Sequence, residues 1–332
     1  MKSQSFNIDN IYIDSIGVVV GKNEKQGPLG KYFNSYIDDS YFDTKSFEKA
    51  QVKLTKASIV KAIKNSKYNL DNIDVCIAGD LSNQIFCSTS AIRQEIFPFI
   101  GIYAACATGT LAIILASIYI NQSNCENGLV YTSSHPCVSE RQFRYPNEYA
   151  AINKQTTTKT ILGSCSVILS KKENKVKVSK ATIGKVVDVL SNNVNDMGSI
   201  MAYAAIDTLN IHLVNNNETI QDYDLIVTGD LSTFGSEIFE NYLKNKYENQ
   251  KYKYYDCGKI IYDTKRQNMY SGGSGPACVM CVTFSYFYKL LIKGIYKKIL
   301  VIATGALHSQ ISSFQKESIP CIAHAIVLEA NE

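Results

Sequence analysis

The segment DVCIAGDLSNQ (residues 74–84) returns 150 residues later as DLIVTGDLSTF (residues 224–234). In each copy a short apolar run ends in Gly-Asp-Leu-Ser, which is typical of a buried strand that runs into a turn. The offset of 150 residues is close to half of the 332-residue chain. The two copies therefore predict a chain built of two related halves.

Further elements recur in the same order after each copy. The uncharged segment GIYAACATGTLAIILASIYI (101–120) follows the first copy, and YSGGSGPACVMCVTFSYFY (270–288) follows the second. Both have small residues ahead of a long apolar stretch, so they predict two buried central helices. An apolar strand then closes each half, at 164–170 and at 322–329.

Amphipathic segments precede both copies, at 46–64 and at 198–214, and they predict helices outside the sheets. Strands that alternate with helices indicate parallel sheets with right-handed crossovers. We therefore expect an α/β protein with halves 1–174 and 175–332 that meet near 171–180. This is the duplicated α/β/α/β/α layered arrangement of the thiolase-like fold.

The long uncharged run from Ile96 to Cys125 raises the possibility of a membrane span. Its first part is small and polar, and a helix from Cys106 to Ile120 would be about 22 Å long, short of the roughly 30 Å hydrocarbon core. A helix buried inside a globular protein is the better interpretation.

Composition excludes several classes of function. The net charge is only +4 and the lysines are scattered, so no nucleic-acid partner is expected. The N-terminal residues have no apolar core of a signal peptide, which predicts cytoplasmic synthesis. The ten cysteines are expected to be thiols, and the Cys278/Cys281 pair to be packed in a helix, with no metal site.

Several longer segments resemble the stage V sporulation protein AD family of spore-forming bacteria, from about residue 15 to the C-terminus. They are GKNEKQGPLG (21–30), AGDLSNQ (78–84), SSHPCVSERQFRYPNEY (133–149), NDMGSIMAYAAIDT (195–208), SGGSG (271–275), TGAL (304–307) and ESIPCIAHAIVLE (317–329). The resemblance implies a thiolase-like fold, no cofactor, and binding of dipicolinate (pyridine-2,6-dicarboxylate) for uptake into the developing spore. It also implies a peripheral location at the spore inner membrane, beside other stage V A proteins.

Cys106 falls where the nucleophile of acyl-transferring thiolases lies, at the start of a buried helix. Its catalytic partners are missing, because the Gly-rich turn 271–277 has no histidine and the loop 304–309 has no second cysteine. We therefore expect a non-catalytic, homodimeric binding protein in which Cys106 lines the pocket. A working acyltransferase or ketoacyl synthase that uses Cys106 is the alternative, and a scaffold with a vestigial pocket is a third hypothesis.

Dipicolinate requires a flat apolar slot with donors at both ends, or calcium that neutralises the ligand. Two helix N-termini, at Cys106 and near Ser274, are expected to converge and supply donors. Other predicted ligand-binding residues follow strands or allow close backbone approach, namely Thr132, Ser133, Ser134, His135, Gly272 and Gly273. Asp230 would meet a ligand-bound cation or cap the next turn, and its counterpart Asp80 carries the same two interpretations.

Arg141 and Arg144 offer guanidinium groups suited to a carboxylate clamp. The competing interpretation is a structural ion pair with Glu140 or Glu148 in a loop at the dimer interface. Three other histidines have less specific predictions, with His212 at the surface or boundary of an outer helix, His324 in the core or an interface, and His308 near the pocket.

Overall fold

The computed structural model describes residues 4–142, 144 and 153–331. The strands are β1 Ser5–Asn7, β2 Tyr12–Gly21, β3 Tyr36–Ile37, β4 Cys76–Asp80, β5 Phe99–Gly101, β6 Asn127–Ser134, β7 Thr158–Thr160, β8 Gly163–Ser170, β9 Val176–Ile183, β10 Leu225–Thr228, β11 Tyr254–Asp256, β12 Gly272–Ser274, β13 Lys298–Ala306 and β14 Cys321–Ala330. The helices are α1 Lys22–Lys25, α2 Phe47–Lys64, α3 Phe86–Ala91, α4 Thr108–Gln122, α5 Pro136–Ser139, α6 Met197–Asn216, α7 Ser232–Lys246, α8 Cys257–Ile261, α9 Pro276–Val282, α10 Tyr288–Ile292 and α11 Gln310–Phe314. A π-helical turn joins α9 to α10.

The strand order of the first half repeats in the second. It is β5-β4-β6-β8-β2 in the first and β11-β10-β13-β14-β9 in the second. In both sets the first three strands are parallel and the last two pairings are antiparallel. One residue pair, Tyr12 with Lys177, connects the two sets between β2 and β9. The predicted thiolase-like layered fold is confirmed, whereas the domain boundary at 174/175 stays a prediction.

The layers follow from the polarity of the helices. α2 packs on β2 and β8, and α6 packs on β13 and β14, so these helices cover the outer faces. α4 and α9 lie in the middle, where α4 contacts β4, β6 and β14 and also contacts α9. A helix that is apolar on all sides is stable in such a place because it has no face that needs water.

The close contact between the central helices depends on Gly109. A Cβ atom at this position would lie 2.4 Å from Cγ of Met280, so a larger residue would require either the Met280 side chain to shift or α4 to move away from α9. The segment Ala105–Gln122 is long and apolar enough to cross a bilayer by length and composition alone. It lies instead between the sheets, as the sequence predicted, and Ala112, Ile113 and Ile120 are fully buried.

Capping side chains set where the two outer helices begin. Ser46 accepts a hydrogen bond from the Lys49 N–H at the start of α2, and Asp196 accepts one from the Ser199 N–H at the start of α6. Both satisfy backbone donors that the first turn of a helix leaves unpaired.

His212 is a correction to the sequence-based expectation. The side chain is fully buried, with Nδ1 2.6 Å from Thr182 Oγ1 and Nε2 2.7 Å from the Tyr223 hydroxyl. The prediction of a surface or boundary position is wrong because Tyr223, which follows the turn after α6, covers this side of the helix. His324 is buried in β14, as expected, and its Nδ1 accepts from the Gly184 N–H.

We predict that His212 makes stability depend on pH. Burial lowers the pKa of His212 to about 4, below its ordinary value of 6.5. Between these values the unfolded chain binds a proton that the folded chain does not, so stability falls as the pH falls through this window. The His212→Gln variant should therefore lose about 2 kcal/mol less unfolding free energy than the wild type between pH 7 and pH 5.

Urea unfolding of both proteins at the two pH values measures this difference. The wild type and variant share His308 and His324, whose burial also lowers their pKa values to about 4. The comparison therefore isolates His212, and equal losses in the two proteins would contradict the prediction.

Candidate functional site

Cys106 lies in a tight turn immediately ahead of α4. Ala105 has a left-handed backbone with φ of +48°, and the Thr108 hydroxyl fixes the turn by donating to the Ala105 carbonyl at 2.6 Å. The same hydroxyl accepts from the Ala104 N–H at 3.0 Å. These bonds hold the Cys106 side chain toward the second half of the protein.

The structure brings Cys106 and Ser274 together. The Cys106 sulfur is 3.7 Å from Ser274 Oγ, and the Gly275 N–H faces the sulfur as well. Because Gly275 begins α9, the starts of the two central helices meet at this point. The groups that the structure shows in hydrogen-bond reach of the sulfur are therefore a hydroxyl and an amide.

A small cavity of about 30 Å³ adjoins the Cys106 sulfur, which is space for one water molecule. Its lining is Leu81, Tyr103, Ala105, Cys106, Thr158, Thr160, Met197, Met201, Ser274, Gly275, Ala306 and His308. Leu81, Tyr103 and His308 also line an outer cleft of about 680 Å³. The cavity is thus the inner end of a larger opening.

The ionisable groups at the cavity are neutral at pH 7. Burial raises the pKa of the Cys106 thiol, and the Asp230 carboxyl nearby raises it further. Burial also lowers the pKa of His308 to about 4, and the charge of Arg144 contributes in the same direction. A thiolate paired with an imidazolium, the usual activated form of a nucleophilic cysteine, is not the state that these surroundings favour.

Three predicted donors do not reach the cavity. The Thr132 hydroxyl donates to the Gly79 carbonyl at 2.8 Å, and Ser134 donates to the Ile161 carbonyl at 2.8 Å. Ser133 Oγ accepts from the side-chain amide of Gln51 at 3.1 Å. These residues are buried strand and not the expected loop, because β6 continues to Ser134, and their contact with a ligand stays a prediction.

His135 is also placed away from the cavity. Its Nδ1 accepts from the Cys137 N–H at 3.2 Å and thereby caps α5, while Nε2 is 2.9 Å from the Ser40 carbonyl. The ring packs on Phe47 with centroids 5.0 Å apart. Both ring nitrogens are engaged and the residue is fully buried in this structure, and its contact with a ligand stays a prediction.

Gly272 and Gly273 allow helix α8 to pack closely against β12. A Cβ atom at Gly272 would lie 2.5 Å from the Gly258 carbonyl oxygen, and one at Gly273 would lie 2.6 Å from Ile261. Both neighbours belong to α8. The two glycines therefore allow close packing on α8, and their contact with a ligand stays a prediction.

The two arginines form structural ion pairs. Arg144 Nε is 3.0 Å from Glu140 Oε2, and its Nη2 donates to the Thr158 carbonyl at 2.7 Å. Arg141 pairs with Glu48. The predicted ion pair with Glu140 is therefore present for Arg144, the carboxylate clamp stays a prediction, and Glu148 lies outside the described residues.

The Asp230 carboxyl is fully buried and lies beside Ser274 and Gly275, two of the residues that line the cavity. Asp80 instead caps its own turn, as one of the two interpretations proposed, by accepting from the Ser82 N–H at 2.6 Å. In the described part of the chain no cluster of three His, Cys, Asp or Glu side chains could hold a metal ion.

Several cavity residues were not predicted from the sequence. Thr158 is 2% exposed and its hydroxyl has no hydrogen-bond partner among the described residues, so it is available to a ligand. It lies on β7, a short polar strand that pairs only with β12 and has no apolar alternation to reveal it. Met197 and Met201 come from α6, and nothing in their local sequence separates them from other core residues.

The family model described as stage V sporulation protein AD (SpoVAD) matches residues 2–329. The chain belongs to the SpoVAD family. The stage V sporulation protein AD of Bacillus subtilis (strain 168) is 40% identical over 319 residues, which cover 96% of this chain and 94% of the relative. This SpoVAD family member therefore matches its relative over nearly the whole of both chains.

Solved structures support the fold. The 3-oxoacyl-[acyl-carrier-protein] synthase III of Aquifex aeolicus VF5 has a TM-score of 0.56 at 15% identity, with 96% of this chain and 99% of that chain covered. A variant of OleA from Xanthomonas campestris has a TM-score of 0.61 at 13% identity, covering 97% and 99%. At such low identity the likeness shows that SpoVAD proteins share the fold of these enzymes and nothing about activity.

We predict that Cys106 reacts slowly with alkylating agents at pH 8. Because burial raises the pKa of its thiol, the fraction of thiolate is small, and iodoacetamide should modify it about tenfold more slowly than free cysteine. Peptide mass spectrometry measures the rate at Cys106 and, as an internal control, at the partly exposed Cys125. Faster reaction at Cys106 than at Cys125 would indicate an activated nucleophile instead.

Proposed function

We propose that this SpoVAD family member binds dipicolinate without catalysis and takes part in its uptake into the developing spore. The observation that carries the proposal is the environment of Cys106, whose sulfur is beside the Ser274 hydroxyl and the Gly275 N–H. Acyl transfer by a cysteine needs a nearby base, whereas binding of a carboxylate needs donors. The family resemblance in the sequence supplies the identity of the ligand.

The cavity offers donors at its inner end and apolar walls at its sides. Thr158 Oγ1, Ser274 Oγ and the Gly275 N–H supply hydrogen bonds for one carboxylate. Leu81 and Met201 are among the apolar side chains that would face the ring. The second carboxylate would then point outward, toward the larger cleft.

The ligand cannot enter without movement of side chains. The present cavity of about 30 Å³ is much smaller than an aromatic dicarboxylate. Met197 and Met201 line it, and unbranched methionine side chains change rotamer readily to fit irregular ligands. We propose that these two residues give way when dipicolinate binds.

Calcium, when it is present, would arrive with the ligand. The residues described contain no ready-made metal cluster, so the cation would be coordinated mainly by dipicolinate itself. The protein would then need fewer donors for the outer carboxylate. We propose that it accepts either the free acid anion or the calcium chelate.

We further propose a homodimer that works at the spore inner membrane beside other stage V A proteins. β5 is the last strand of its half of the sheet, so one of its edges is unpaired within the part of the chain that the structure describes. Ile96 is 82% exposed just before this strand, and Ile100 and Phe86 are also exposed. An open strand edge next to apolar side chains is a surface that a second copy would cover.

An acyltransferase or ketoacyl synthase is the alternative. The fold of the synthase and OleA structures and the position of Cys106 ahead of α4 favour it. Incubation with acyl-coenzyme A followed by mass spectrometry would find an adduct on Cys106 that turns over if this alternative is right. The binding proposal expects no such adduct.

Calorimetric titration with dipicolinate, with and without calcium, tests the proposal directly. We predict that Thr158→Val weakens binding about tenfold, because a hydroxyl donor to a charged carboxylate is lost. Thr132→Val is the matched control, since the Thr132 hydroxyl donates to the Gly79 carbonyl and does not line the cavity. Its affinity should stay within about twofold of the wild type.

Absence of binding heat for the wild type would refute the proposed function and favour the scaffold hypothesis. Equal weakening in both threonine variants would place the ligand somewhere other than the Cys106 cavity.

A further inference from the structure

The two Gly-Asp-Leu-Ser turns are related by the internal repeat, but their aspartates have different partners. In the first half Asp80 caps its own turn. Its Oδ1 accepts from the Ser82 N–H at 2.6 Å, and its Oδ2 accepts from the Ser88 N–H at 2.7 Å and the Ser88 hydroxyl at 2.5 Å. This is the ordinary use of an aspartate at the start of a turn.

In the second half Asp256 performs this function from the neighbouring strand. Located at the end of β11, it accepts from the Leu231 N–H at 3.1 Å, the Ser232 N–H at 2.8 Å and the Thr228 hydroxyl at 2.8 Å. The backbone donors after Asp230 are thereby satisfied without Asp230. The carboxyl of Asp230 therefore does not cap this turn.

The carboxyl of Asp230, which caps no turn, lies next to Cys106 and Ser274 of the candidate site. Asp230 has a left-handed backbone with φ of +70° and is fully buried. No donor among the described residues meets hydrogen-bond geometry with either of its carboxyl oxygens. A buried, unpaired carboxyl is costly for a fold, so its retention in this place calls for a function.

The groups that face Asp230 come from four places in the chain and include no cation among the described residues. The Ser274 hydroxyl, the Gly275 N–H and the Cys278 thiol lie beside it, and the ionisable groups Asp256, Cys106, Cys257 and Cys278 surround it. Burial, and next the charge of Asp256, raise the pKa of the Asp230 carboxyl well above its ordinary value. These surroundings favour the protonated, neutral form of the Asp230 carboxyl.

We propose that Asp230 is a positioning residue of the dipicolinate site, which holds Ser274 so that the serine O–H points into the cavity. The inference rests on the proposed function. When the ligand binds, the protonated acid donates to Ser274 Oγ, a hydrogen bond that is not formed in this structure, and Ser274 then has its O–H free for a ligand carboxylate. Ionised Asp230 would accept the Ser274 proton instead, and its charge would repel a dianionic ligand.

The Asp230→Asn variant separates these two states. Asparagine has nearly the same shape, tolerates a left-handed backbone and keeps a neutral donor at every pH. We expect wild-type affinity for dipicolinate to fall at least about tenfold as the pH is raised from 7 to 10, because Asp230 ionises. The affinity of Asp230→Asn should change by less than about threefold over this range.

Asp80→Asn is the matched control from the other half. It replaces the same residue type in the same tetrapeptide, but Asp80 caps a turn and does not face the Cys106 cavity. Its thermal stability should fall while the pH profile of binding follows that of the wild type. Overlapping pH profiles for the wild type and Asp230→Asn would overturn the inference.

A second measurement does not need the ligand. In the wild type a negative Asp230 opposes ionisation of the Cys106 thiol, so Asp230→Asn should speed alkylation of Cys106 at pH 9.5 by about threefold. Unchanged alkylation would also overturn the role of Asp230. If dipicolinate gives no heat with any of the three proteins, the proposed function fails, and faster alkylation in Asp230→Asn would still show that Asp230 acts on this cavity.

Discussion

The contact between the two central helices is the constraint on which the rest of the molecule depends. α4 and α9 approach so closely that a Cβ atom at Gly109 would lie 2.4 Å from Cγ of Met280. Because both helices begin at the same point, this contact also fixes the distance between Cys106 and Ser274. The same helix contact therefore determines both the packing of the core and the geometry of the site. A substitution that separates α4 from α9 would also move Cys106 away from Ser274.

The internal repeat extends to individual hydrogen bonds. Thr132 on β6 donates to the carbonyl of Gly79, and Thr304 on β13 donates to the carbonyl of Gly229, so equivalent strands are tied in the same way. The repeat is broken at Asp230, where another residue takes over the cap. The two halves therefore match in the hydrogen bonds that join their strands and differ next to the cavity. Selection for ligand binding would act at the cavity.

The sequence predicted the fold well because the relevant signals are local and doubled. Two copies of one tetrapeptide and two uncharged helices specify two similar halves, and Cys106 and Ser274 could be paired by their positions ahead of those helices. The extent of β6 was not predictable, because a strand that is buried on both faces has no alternation to mark where it ends. His135 was misplaced for the same reason, since the cap of α5 begins directly after that strand.

The remaining cavity residues required the three-dimensional structure. Met197 and Met201 reach Cys106 only because α6 crosses from the second half, and local sequence contains no information about such a contact. Arg144 has a partner four residues away, Glu140, yet its sequence is equally compatible with a carboxylate ligand. The ion-pair partner of a charged side chain depends on distances in the folded protein, and the sequence alone does not give them.

The small size of the inner cavity has a kinetic consequence. A ligand that enters only when methionine side chains change rotamer associates more slowly than one that meets an open pocket, because just a fraction of encounters finds the pocket ready. The same side chains close behind it and slow its departure, so that residence time rises along with the barrier to entry. A protein of this design would suit the transfer of cargo to a partner that opens the pocket, and would suit poorly a rapid exchange with free solution.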